Sequence, residues 1–250
     1  MSKEMTEEMT KKADKKAANS VANNVTGGVM KGPRDKWSFW THFAGIVFGV
    51  MATIYFLVVK VFGAASAAGG SGAAGGTLAA VSFVVFGLSV IALYTGSSVY
   101  HYYNGPAEKL VRIRKLDHSM IYVMIAGSYT PVLANCLPMP KGAVFLAAIW
   151  LVALAGIVIK VCWLDAPRWL YTSLYILMGW SILVDPKSLG LIDPRCLAMI
   201  AAGGVAYTIG AVIYILKKPN ITEEFGFHEI FHCFILLGTL LQFVGIAFFI

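Results

Sequence analysis

The sequence predicts an all-α, polytopic membrane protein: a bundle of seven transmembrane helices with the N-terminus inside and the C-terminus outside. Three observations carry this. Of the 250 residues, 58% are hydrophobic and only 13% are charged, too few polar side chains to coat a soluble domain of this size. The apolar residues fall in uncharged runs near the ~20 residues needed to cross a bilayer, separated by short polar connections. The Lys and Arg residues are also unevenly shared between the two sets of connections, which fixes an orientation.

Residues 1–36 form a polar tail in which Lys11, Lys12, Lys15 and Lys16 mix with Glu4, Glu7 and Glu8. It reads as a cytoplasmic, partly disordered segment outside the domain of residues 37–250. A secretory signal would place its apolar region much earlier. The first span, residues 43–61, follows an interfacial aromatic belt of Trp37, Phe39 and Trp40. Residues 63–77 are almost wholly Gly, Ala and Ser and read as a flexible loop.

Spans two and three are expected at 78–100 and 119–137, with Pro131 kinking or ending the regular helix of the third. Spans four to seven are expected at 142–159, 169–184 (a shorter one), 196–216 and 230–250. With the N-terminus inside, sixteen Lys and Arg lie on the inner side and four on the outer. The net charge of +7 then reflects orientation and attraction to anionic headgroups rather than nucleic-acid binding. The four cysteines form no CxxC pair and read as small apolar residues.

On this topology all five histidines fall at cytoplasmic ends. His228 and His232 are spaced i, i+4 on one helix face, close enough to share an ion. Ser97 and His101 form a second such pair at the end of span two, and Asp117 and His118 open span three. Three helices therefore bring histidines and a carboxylate to one leaflet. Spacing alone leaves two readings open: a shared metal such as zinc, which takes imidazole ligands and an open position in catalytic sites, or histidines tolerated at an interface. His42 reads as an interfacial or supporting side chain and His118 as an interfacial one. His228-Glu229 through His232 also spells a zincin motif, but residues 233–250 contain no His, Asp or Glu to complete it. Glu229 reads as a supporting or solvent-facing group.

Ser97-Ser98-Val99-Tyr100-His101, Leu116-Asp117-His118 leading to Ile125-Ala126-Gly127-Ser128-Tyr129-Thr130-Pro131, and His228-Glu229-Ile230-Phe231-His232 resemble the hemolysin III branch of the progestin and adiponectin receptor (PAQR) family. Thr41-His42 before the first span resembles it too. The resemblance covers residues 37–250. It implies zinc bound by His101, His228 and His232, Asp117 contacting the water on the zinc, and Ser97 nearby in support. Related receptors have ceramidase-like activity, and bacterial members carry the labels of a cytolysin and of a membrane-homeostasis factor. His118 stands where receptor members differ, which favours the bacterial branch.

The reading that follows is a bacterial plasma-membrane protein of membrane-lipid and fluidity homeostasis, with zinc as cofactor and membrane lipids as partners. Its chemistry would be hydrolysis of a lipid amide substrate. A non-catalytic, zinc-stabilised sensor or transporter is the alternative. A pore-forming cytolysin is a third reading, disfavoured by the absence of a secretion signal and of amphipathic spans.

Overall fold

The computed structural model describes residues 32–63 and 74–250; the 1–31 part of the expected tail and the centre of the Gly/Ala/Ser loop lie outside the described residues. Eight α-helices and no strand occur among the described residues. They are α1 (Lys36–Tyr55), α2 (Ala74–Tyr102), α3 (Ala107–Cys136), α4 (Lys141–Cys162), α5 (Arg168–Gly179), the single turn α6 (Pro186–Leu189), α7 (Pro194–Leu216) and α8 (Phe227–Phe249). Helix α1 continues as a π-helix over Phe56–Phe62, and a 3₁₀ turn, Ser181–Val184, follows α5. Among the described residues, five helices are long and apolar enough to cross a membrane: α1 with its extension, α2, α4, α7 and α8.

The helices run past the expected spans because polar residues at their ends satisfy the helix just as well as apolar ones. Helix α3 starts at Ala107, a full three turns before residue 119. Pro131 does not end α3, which runs on to Cys136. The fifth span resolves into two short pieces, α5 and the 3₁₀ turn. The twelve residues of α5 cover roughly 18 Å at 1.5 Å per residue.

Helices α1, α2, α3, α5, α7 and α8 pack in that cyclic order, and α8 returns to α1. Helix α4 packs on the outside of α3. Its outer face exposes Val144, Leu151, Leu154 and Val158, an apolar surface that suits lipid rather than water. Helix α3 is enclosed: every residue from Ala126 to Leu133 is buried. Phe56, Phe86, Val90, Tyr94, Leu133 and Ile246 fill the core. Close helix approach needs small residues, and Gly45 shows why: a Cβ there would fall on the ring of Tyr94.

Lipid tails offer helices no hydrophobic reason to associate, so buried hydrogen bonds help to fix the packing. The Tyr94 and Tyr207 hydroxyls lie 2.7 and 3.0 Å from Thr239 Oγ1, joining α2, α7 and α8 at one fully buried threonine. Thr239→Val leaves both tyrosines without this partner. It is expected to lower stability by about 1 kcal/mol, read as a lower melting temperature in detergent; an unchanged melting curve would show the cluster to be incidental.

Candidate metal centre

Two helix ends build the centre. His101 is the penultimate residue of α2, and His228 and His232 occupy the first two turns of α8, one turn apart on one face. One ring nitrogen from each lies within 4.8 Å of those from the other two, and His101 Nε2 is 3.3 Å from His228 Nε2. Two imidazoles bound tetrahedrally to one ion at about 2.0–2.1 Å have their nitrogens roughly 3.3 Å apart. The donor set and spacing therefore fit a first-row metal ion, and the triad can hold one.

The expected neighbours gather around it. Ser97 lies one turn before His101 and is buried. Gly96 packs against the backbone of Asp117, which sets Asp117 level with Ser97 and one turn from His101 along α2. Asp117 is buried, as is Ser97, and both line the cavity that receives His228 and His232. His118 was expected at an interface, but it too lines this cavity, with Nε2 4.0 Å from Asp117 Oδ2 and its backbone carbonyl accepting from Tyr175. The other ring nitrogen of His118 finds no partner among the described residues.

His42 does not join the triad edge-on. Its ring stacks on His232 with centroids 3.6 Å apart and planes 13° from parallel, and neither of its nitrogens has a hydrogen-bond partner among the described residues. It supports a ligand through its face. Glu229 is turned away from the triad: its carboxylate accepts from Ser38 Oγ at 2.6 Å and from the Gly226 backbone N–H at 2.9 Å. That bond satisfies one of the free N–H groups at the start of α8, a cap rather than a zincin base.

The sequence reading missed Asp35, which it placed in the tail. Its Oδ2 accepts from His101 Nδ1 at 2.9 Å, its backbone N–H donates to the His101 carbonyl at 3.1 Å, and Arg34 donates to it at 2.8 and 3.0 Å. Burial alone would raise the Asp35 carboxyl, but the bonds from His101 and Arg34 outweigh it and hold it down to about 2. The available signal was spacing: Asp35, Ser38 and Thr41 recur every three residues on the first turns of α1.

The cavity has a volume of about 200 Å³ and begins among His42, Ser97, Asp117, His118, His228 and His232. From there it runs between apolar walls to Val132 on α3 and Ile246 on α8. Val132 lies fifteen residues beyond Asp117, so the passage is roughly 20 Å long at helical rise. None of its lining comes from α4.

Residues 32–243 match the family model described as "Haemolysin-III related". The chain is 34% identical over 213 residues to "Hemolysin-3" of Bacillus cereus, covering 84% of this chain and 89% of that relative. It is 31% identical over 210 residues to "Hemolysin-3 homolog" of Bacillus subtilis (strain 168), covering 84% and 91%. With its long apolar helices, this chain is a multi-pass protein of the cell membrane, and it belongs to the haemolysin-III-related family, the hemolysin III branch of the PAQR proteins.

Proposed function

We propose that this protein is a zinc-dependent hydrolase of a membrane-lipid amide, acting in membrane-lipid homeostasis. The observation that carries the reading is the position of the histidine cluster: His228 and His232 of the triad line one end of an apolar passage, and Asp117 and Ser97 line the same end. An ion-binding end and a long apolar passage suit a substrate with one polar reacting group and one acyl chain. A zinc ion held by His101, His228 and His232 would supply Lewis acidity to a carbonyl and would make water acidic near neutral pH.

The chain's own residues then have distinct tasks. Asp117 accepts the proton of the attacking water and returns it to the leaving amine. Ser97 offers a hydroxyl beside that carboxylate and orients the water. The walls formed by Ile121, Ile125, Val132 and Ile246 hold the acyl chain and exclude bulk water. We place the N-terminus inside and count seven spans, α3 and the short α5 completing the five apolar helices. The Lys and Arg distribution supports this orientation, and it sets the centre on the cytoplasmic side.

Zinc-loaded protein incubated with a panel of lipid amides is expected to release a free fatty acid, detected by mass spectrometry, and to stop on chelation. A zinc-loaded protein that releases nothing across the panel would favour the second reading, a non-catalytic sensor or transporter. One observation supports that rival: the triad joins the ends of α2 and α8, so an ion there staples two helices. The name of the Bacillus cereus relative speaks of haemolysis. For this chain the outward apolar residues of α4 favour residence in the bilayer, and a released toxin would instead be found in culture fluid.

A further inference from the structure

We infer that the first two turns of α1, with the residue before them, are the positioning frame of the metal centre: Asp35 and Thr41 fix which nitrogen of His101 and of His232 faces the ion. The inference rests on the triad being a metal site and concerns how this chain prepares it.

The argument is one of proton placement. A neutral imidazole carries its proton on one nitrogen and offers a lone pair on the other. A carboxylate can only accept, so at 2.9 Å from Asp35 Oδ2 the Nδ1 of His101 is the donor. Its Nε2 is then the bare nitrogen, and that is the atom 3.3 Å from His228 Nε2.

Thr41 does the same for His232 by a less obvious route. Its Oγ1 lies 2.9 Å from the Trp37 carbonyl and 3.0 Å from that of Ser38. A hydroxyl has one proton, and these carbonyls claim it. The Thr41 oxygen can then only accept from His232 Nδ1, 3.3 Å away. His232 is thereby held as the Nδ1–H tautomer with Nε2 free.

Between these two contacts, Ser38 donates to Glu229, which caps the start of α8 one residue beyond His228. Asp35, Ser38 and Thr41 thus point from one face of α1 to His101, to the first turn of α8 and to His232 in turn. His42 adds its ring to the back of His232 at 3.6 Å. Helix α1 contributes no ligand of its own, yet with Asp35 it contacts two of the three ligands, His101 and His232, and holds Glu229 beside the third. Groups that hold the outer nitrogen of a metal-bound histidine fix its tautomer and orientation.

The test uses the full-length protein in detergent, with zinc affinity measured by competition against a chromophoric chelator. Asp35→Ala and Thr41→Val are each expected to weaken zinc binding about ten- to a hundredfold. The melting temperature of the metal-free protein should stay close to wild type. Asp35→Glu should recover most of the affinity, and Asp35→Asn, which keeps an acceptor oxygen, should fall between. Cobalt substituted for zinc should show a shifted absorption spectrum in Thr41→Val, because the orientation of one ligand has changed.

Affinities within twofold of wild type in both Asp35→Ala and Thr41→Val would overturn the frame while leaving the metal centre standing. So would an affinity loss matched by an equally large drop in metal-free melting temperature, which marks a general folding defect. Wild-type protein that binds no zinc would remove the metal centre and the frame together.

Discussion

Removing both α8 ligands, His228→Ala/His232→Ala, is expected to take the zinc content of the purified protein from about one ion per chain to none. Elemental analysis on protein prepared without chelators reads this directly. The reason is geometric. The two residues supply two of the three nitrogens that gather within 4.8 Å, and one remaining imidazole at the end of α2 has no partner with which to chelate.

The same variant should also melt earlier. An ion that binds only the folded protein stabilises it by about 4 kcal/mol at a thousandfold excess over its Kd, and the double variant cannot gain that. Chelated wild type should resemble it. Wild-type protein that contains no metal would reduce the cluster to four interfacial histidines, and the hydrolase reading would fall with it.

Asp117→Asn is expected to separate holding the ion from using it. The amide keeps the shape of the carboxylate, loses its basicity, and leaves His101, His228 and His232 untouched. Zinc content should therefore stay near wild type while release of fatty acid falls by about two to four orders of magnitude, the range for losing a positioned general base. Unchanged turnover in Asp117→Asn would sink the proposed role of this carboxylate. Loss of zinc alongside activity would instead make Asp117 part of the metal-holding set.

Most of the bundle was legible because apolar runs report spans directly: the cores of α1, α2, α4, α7 and α8 lie where the sequence puts them. The His228 and His232 pair was legible for a similar local reason, since two histidines at i, i+4 declare themselves, whereas His101 joined them through the family resemblance. What escaped was the part built from short polar contacts between distant segments. Asp35 looked like one more charge before a span, because nothing near it in sequence reveals a bond to His101, sixty-six residues away. His118 looked interfacial because it sits one step, about 100°, around the helix from Asp117, whereas in the folded chain both residues line the cavity. The break between α5 and Ser181–Val184 was hidden because its residues are as apolar as those of a continuous helix.

The enclosure of α3 has a consequence for reading other chains of this kind. From Ala126 to Leu133 it is covered on every side by its neighbours, so its immediate solvent is protein rather than hydrocarbon. Ser128 and Thr130 can sit there because each finds an acceptor in a carbonyl of the preceding turn. A hydropathy threshold measures how much of a helix faces lipid, and a central helix shielded by α2 and α4 owes little to that measure. The least oily long helix in such a bundle is then the first place to look for its working residues.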